Sequence, residues 1–177
     1  MVICISGPES TGKTTLALAL RRYLSAHYVP EYARQWFADK NTTEYDERSL
    51  LEIARGQWRA ERKTASADEF VVLDTDLINI RLWSEYRYGH CHPWILKRSL
   101  ESADGRFYLL AANDIPWTPD ALRENPNRSR LLTEWHRVLA DCNADYALLK
   151  GLGHERTREA LKLIALRAGT SIDRLEK

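Results

Sequence analysis

The sequence predicts an α/β fold, a three-layer sandwich around a five-stranded parallel sheet. Three observations predict it. Five short apolar runs are separated by stretches of helical periodicity, and strands that alternate with helices assemble into parallel sheets with right-handed crossovers. Most of these runs are continuously apolar, as suits strands buried on both faces. The first run also leads directly into Gly7-Pro8-Glu9-Ser10-Thr11-Gly12-Lys13-Thr14, a G-x-x-x-x-G-K-[ST] spacing that belongs between a strand and a helix.

In order, Val2–Ser6 reads as a short buried strand. Glycines at both ends of the following loop let the backbone curl until successive N–H groups point at an anion. Lys13 is then placed to reach the β- and γ-phosphates of a nucleotide, and the Thr14 hydroxyl to hold Mg²⁺. Thr14 to about His27 reads as a helix with Leu16, Leu20, Tyr23 and Leu24 on one side. Its N-terminus adds partial positive charge to the anion site. The second run, Tyr28–Pro30, is the weakest because Pro30 shortens it. Glu44 to about Ala65 follows as a helix with Leu50, Leu51, Ala54 and Trp58 on one side. Phe70–Leu73 is the third strand, followed by helices over Leu77–Tyr88 and His92–Ala103, the latter with Pro93 tolerated in its first turn. Phe107–Ala111 is the fourth strand. Asn127 reads as the N-cap of a helix that turns Leu131, Leu132, Trp135, Val138 and Leu139 inward. Tyr146–Leu149 is the fifth strand, and a last helix from about His154 to Ala168, with Leu161, Ile164 and Ala165 inward, stops at Gly169.

Composition narrows the function classes. At 177 residues and 44% hydrophobic content, one domain over residues 1–177 with a substantial core is expected. The net charge of +1 gives no general attraction to nucleic acid or an anionic membrane, and neither is expected as a partner. No apolar run approaches the ~18 residues of a membrane-spanning helix, and Val2–Ser6 is too short for the apolar region of a signal peptide. Cys4, Cys91 and Cys142 are odd in number, widely spaced and without a C-x-x-C pair. Reduced thiols in a cytoplasmic protein are the expectation.

Ligands of such sheets bind at the carboxyl ends of the strands. After the second strand comes Glu31-Tyr32-Ala33-Arg34, after the third Asp74-Thr75-Asp76, after the fourth Asn113 to Trp117, and after the fifth Gly151-Leu152-Gly153. Asp74 closes an apolar run, the pattern of a carboxylate that holds Mg²⁺ directly or through water. Asp76 is open between contacting an acceptor hydroxyl and capping the next helix. Glu31 is open between serving a substrate hydroxyl and a surface ion pair with Arg34. Glu31 and Asp74 compete for the role of base. The polar stretch 113–130 holds Pro116, Pro119 and Pro126 with Arg123, Arg128 and Arg130, and is expected to act as a lid that excludes water. Tyr32, Trp36, Tyr45, Trp58, Trp83, Tyr86 and Trp117 crowd these edges and suggest a planar acceptor. A nucleotide acceptor would need further cations for its own phosphate, and Arg34, Arg55, Arg59 and Arg81 are the candidates.

Gly7–Thr15, Glu31-Tyr32-Ala33-Arg34, Ile53-Ala54-Arg55-Gly56-Gln57, Asp74-Thr75-Asp76, His92-Pro93, and Pro116-Trp117 with Asp120 and Leu122-Arg123 follow one another in this order. Together they resemble the ribosylnicotinamide kinase domain of bacterial NAD-biosynthesis proteins, within the P-loop kinases and the wider AAA-type ATP-binding proteins. The resemblance runs to about residue 165 and implies the sheet order 2-3-1-4-5. It implies transfer of the ATP γ-phosphate to the 5′-hydroxyl of nicotinamide riboside, with ATP and Mg²⁺ as cofactors and a small-molecule nucleoside as substrate. Gly7, Glu9, Ser10, Thr11, Gly12, Lys13, Thr14 and Thr15 would then hold the phosphates, and Thr14 and Asp74 the metal. Glu31 and Asp76 would hold the riboside hydroxyls, with Tyr32 and Arg34 on the same substrate side. Arg123 would be a catalytic lid arginine and Arg128 its companion. The chain departs from the resemblance at Pro30, where relatives often carry an aromatic residue. It also starts almost at the first strand and lacks an H-x-G-H motif, so the kinase half alone is expected. Other nucleoside or nucleotide kinases and an ATP-binding regulatory NTPase are the alternative readings.

Overall fold

The computed structural model describes residues 1–64, 69–116 and 127–175. Its elements run β1 (Val2–Ser6), α1 (Lys13–Tyr23), β2 (His27–Val29), α2 (Tyr32–Lys40), α3 (Glu47–Thr64), β3 (Val71–Asp74), α4 (Leu77–Tyr88), α5 (Pro93–Ala103), β4 (Arg106–Ala111), α6 (Arg128–Asp141), β5 (Asp145–Leu149), α7 (Gly153–Ala168) and α8 (Ile172–Leu175). The five strands form one sheet in the order β2-β3-β1-β4-β5. Every pairing is parallel, with Ile3 beside Val72 and Phe107, and Ile5 beside Asp74 and Leu109. This is a three-layer α/β sandwich of the P-loop NTPase kinase type.

The period-2 geometry of the strands divides the core in two. Ile3, Ile5, Val72, Phe107 and Leu109 face α1 and α7, where Leu16, Leu20, Leu161 and Ile164 cover them. Cys4, Val71, Leu73, Tyr108 and Leu110 face α4 and α6, against Ile78, Leu82, Leu131 and Trp135. A third cluster, with Trp36, Leu50, Ile53, Ile80 and Ile95, holds α2, α3, α4 and α5 together at the side of the sheet. Because β1 lies at the centre with a buried strand on each side, the loop that follows it emerges in the middle of the carboxyl edge.

The expected elements are present with small shifts in their ends, and Asn127 caps α6 through its side chain, accepting from the Arg130 N–H at 3.1 Å. α1 ends earlier than expected, at Tyr23, and β2 begins at His27. Tyr23 is exposed, while Leu51, Trp58 and Leu132 are half-buried. α2 and α8 are additions to the expected set. α2 buries only Trp36, so it has no apolar stripe for periodicity to reveal. All three cysteines are free. Among the described residues no helix is long and apolar enough to cross a membrane.

Candidate active site

The loop after β1 owes its path to backbone conformations that few residues adopt. Gly7 has φ +133°, and a Cβ there would stand 2.7 Å from the carbonyl oxygen of Ala111 at the end of β4. Only glycine admits both the conformation and that approach. Ser10 and Gly12 also have positive φ. The Thr11 hydroxyl donates to the Pro8 carbonyl at 2.7 Å, and Lys13 Nζ donates to the same oxygen at 2.8 Å. Arg156, a cation near the N-terminus of α7, is 3% exposed. It donates to the Gly151 carbonyl at 2.7 Å and to the carbonyls of Thr11 and Ala112, and pairs with Asp114. One guanidinium thus ties the phosphate loop to the ends of β4 and β5. The sequence reading missed it, although its signal was present: a cation in a helix's first turn opposes the helix dipole and needs a compensating role.

A cavity of ≈ 430 Å³ opens from this loop. All of Gly7 to Thr15 lines it, with Glu31 and Arg34 beside the loop and an apolar pocket beyond that includes Phe37, Tyr45, Ile53, Ile80, Trp83 and Trp135. Phe37 and Tyr45 stand edge to face at 5.9 Å. Of the aromatic side chains singled out in the sequence, Tyr45 and Trp83 reach the cavity. Trp36 is core and donates its indole N–H to Glu52 at 3.0 Å. Trp58 packs against Trp94, and Tyr86 is exposed. Trp117 lies outside the described residues, as do Asp120, Leu122 and Arg123 of the expected lid.

Asp74 closes β3 next to Ile5, two residues before the loop begins. It is 1% exposed. Tyr28 donates its hydroxyl to Oδ2 at 3.4 Å, and Oδ1 has no hydrogen-bond partner. Burial, and then the Asp74 charge, push the Tyr28 phenol up to about 12, so it stays a donor to that carboxylate. A buried carboxylate oxygen without a partner, next to a loop that carries Thr14, is a donor set that fits Mg²⁺.

Thr75 turns the chain sharply. It is a β-branched residue at φ +71°, a strained conformation held by its N–H donating to the Ile5 carbonyl at 3.1 Å. The turn sends Asp76 away from the cavity. Oδ1 caps α4 by accepting from the Ile78 N–H at 2.9 Å, and Oδ2 accepts from the Tyr108 hydroxyl at 2.6 Å and from Arg106 at 3.0 Å. With 0% exposure and both oxygens engaged, Asp76 does not reach the substrate side. Of the two roles open to it in the sequence, the structure makes the cap.

Arg106 also donates to Glu61 at 2.8 Å, and one guanidinium thereby serves two buried carboxylates. Burial pushes the Glu61 carboxyl up to about 7 despite the pull of Arg106, with the Asp76 charge adding to the rise. Burial works against the charge on Arg106, but Asp76 and Glu61 more than offset it and its pKa is raised. The network continues through Gln57, which donates to Glu61 at 3.1 Å and accepts from the Tyr32 N–H at 2.8 Å. That last bond matters to the site. Glu31 occupies the N-cap position of α2 but makes no side-chain cap bond, and Gln57 satisfies the first helical N–H in its place. Glu31 is thereby kept for the cavity, where it accepts from Arg34 Nε at 3.2 Å. Tyr32 does not line the cavity; its ring lies on Gly56, in the space a Cβ would fill. Arg128 opens α6 and donates to the Ile115 carbonyl at 2.9 Å and the Ser10 carbonyl at 3.4 Å. It therefore joins Ile115 and the start of α6 to the phosphate loop.

The family model for the AAA domain matches residues 2–156. The chain belongs to that family. The AAA domain is also similar in fold to solved structures. A crystal structure of NadR protein in complex with NR matches with a TM-score of 0.73 at 22% identity, over 96% of this chain and 51% of that one. A second, of NadR protein in complex with NAD and AMP-PNP, gives 0.71 at 23% identity, over 96% and 50%. Deoxyadenosine kinase from M. mycoides with products dcmp and dcdp bound gives 0.56 at 12% identity, over 95% and 100%. The chain thus spans about half the length of the NadR structures. At these identities the likeness is one of fold. No curated protein sequence matches the chain significantly.

Proposed function

We propose that this AAA domain is an ATP-dependent kinase that transfers the γ-phosphate to the 5′-hydroxyl of nicotinamide riboside, a small acceptor bound in the aromatic end of the cavity. The observation that carries the reading is the continuity of that cavity. The phosphate loop forms one wall, and an unbroken space leads past Glu31 to Tyr45, Trp83 and Trp135. Phosphoryl transfer asks a protein mainly to align donor and acceptor and neutralise charge, and a single pocket open to both partners provides the alignment.

In this reading the loop N–H groups and Lys13 bind the triphosphate. Thr14 and Asp74 would hold Mg²⁺, which when bound neutralises charge on the phosphates. Glu31 accepts a hydrogen bond from the acceptor hydroxyl and is the better placed base, because it lines the cavity, whereas Asp74 is buried and does not. Arg34 steadies Glu31 through their ion pair. Arg128 and, from the lid, Arg123 close on the nucleotide and exclude water.

A nucleotide acceptor is less well served. Arg81 is engaged with Glu85 at 2.7 Å, Arg55 lies over the Trp94 ring, and of the four candidate cations only Arg34 lines the cavity. The test is ADP release with Mg·ATP against nicotinamide riboside, the common nucleosides and their monophosphates. Stimulation by nicotinamide riboside is expected. Stimulation by monophosphates alone would reject the acceptor, and stimulation by none would reject a kinase.

A further inference from the structure

On α4, Asn79, Leu82 and Trp83 fall at i, i+3 and i+4 and share the face that lines the cavity. Leu82 and Trp83 are what an apolar wall requires. Asn79 is not. It is 7% exposed, and its side-chain amide makes no hydrogen bond with any other described residue. The amide is not sealed inside the protein; it is reached from the cavity it lines, where a group that enters can replace water as its hydrogen-bond partner.

An asparagine side chain presents an N–H₂ donor and a carbonyl acceptor in one plane. Its complement is a group with an acceptor and a donor in one plane. The other polar side chains at this end differ in kind: Thr43 is exposed, and Glu31 and Arg34 are charged and bonded to each other. The aromatic residues nearby, Tyr45 and Trp83 among them, favour a flat group. A flat ring with an in-plane amide edge meets both conditions. A pyridine carboxamide carries such an edge, and so does the lactam edge of some nucleobases.

We propose that Asn79 is a specificity-determining residue for the acceptor, pairing its side-chain amide with an in-plane donor–acceptor edge on the acceptor's planar group. In nicotinamide riboside that edge is the carboxamide; this part of the inference rests on the kinase reading above. The role needs no contact with the transferred phosphate, so its signature is selectivity between acceptors with the ATP side unaffected.

The experiment compares wild type with N79L, which removes both polar groups at similar volume, and with N79A as a second variant should N79L misfold; thermal unfolding checks each fold. Acceptors are nicotinamide riboside, the riboside of unsubstituted pyridine, nicotinate riboside, inosine and uridine. Wild type is expected to favour nicotinamide riboside over unsubstituted pyridine riboside in kcat/KM by at least roughly tenfold, because a site built to pair with an amide rejects the analogue that lacks it. In N79L and N79A that ratio is expected to fall to about threefold or less, with the loss falling on the carboxamide substrate and the KM for ATP within about twofold of wild type. A wild-type preference that survives in both variants, or an equal loss on both ribosides, overturns the assignment while leaving the kinase reading in place. Turnover of inosine or uridine without turnover of nicotinamide riboside overturns the acceptor reading and the carboxamide assignment with it.

Discussion

Between Gly7 and Thr15 the cavity wall is one continuous stretch of chain, whereas the opposite wall is gathered from α2, α3, α4 and α6. The donor wall works through backbone: its positive φ angles, its contact with Ala111 and the guanidinium of Arg156 fix a path for N–H groups. The acceptor wall works through side chains, and these are held from beneath by a buried network of Gln57, Glu61, Arg106 and Asp76. On the kinase reading proposed above, the difference teaches that the two substrates would be recognised at different levels of structure, a triphosphate by a local motif and a planar acceptor by tertiary packing. Substitutions on one wall should therefore leave the other wall's kinetics almost untouched.

The sharpest break comes at Lys13. Lys13→Ala removes the loop cation that lines the cavity and should lower kcat by on the order of 10²–10³ or more. Its melting temperature should stay close to wild type, because the path of the loop is set by its positive φ angles and by Arg156. Steady-state ADP release and thermal unfolding together read this out. A variant with undiminished turnover would end the role given to the loop.

The same contrast explains what could be read in advance. The path of the donor wall was legible because it lies in consecutive residues whose glycines encode it. The sheet was legible because Ile3, Val72 and Leu109 lie in apolar runs that only doubly buried strands carry. The acceptor side was not. Arg106 meets Asp76 across 30 positions and Glu61 across 45, and no spacing rule connects residues so far apart. Asp74 and Asp76 look alike in the sequence, and only the strained turn at Thr75 sends them to opposite duties. Tyr32 reads as a binding aromatic until Gly56, a whole helix away, is seen to be its seat.

Gly56→Ala is the next largest test, and it strikes the acceptor wall alone. The new Cβ would occupy the place of the Tyr32 ring, so the start of α2 must shift, with Glu31 beside it. Overpacking of this kind costs about 1–3 kcal/mol. The KM for the acceptor should rise several-fold while the KM for ATP holds. Adding Tyr32→Ala removes the clashing ring, and a double-mutant cycle should return part of the lost stability. Additive losses in that cycle would show that ring and glycine are not coupled.

The last test is a pH slope, which leaves activity aside and separates the two walls by titration. Glu61 is raised from its ordinary 4.5 to about 7, first by burial. Across that interval the unfolded chain has released the proton while the folded chain retains it. Folded protein then binds more protons than unfolded, and stability falls as pH rises from 4.5 to about 7, by up to about 1.4 kcal/mol per pH unit. Glu61→Gln keeps a neutral hydrogen-bonding group at that position and leaves Arg106 to Asp76, so the slope should flatten across this interval. The phosphate loop contains no part of this network, and the KM for ATP should therefore show no matching change. Denaturant unfolding of both proteins at several pH values makes the comparison, and parallel stability curves would remove Glu61 as the group that titrates beneath the acceptor wall.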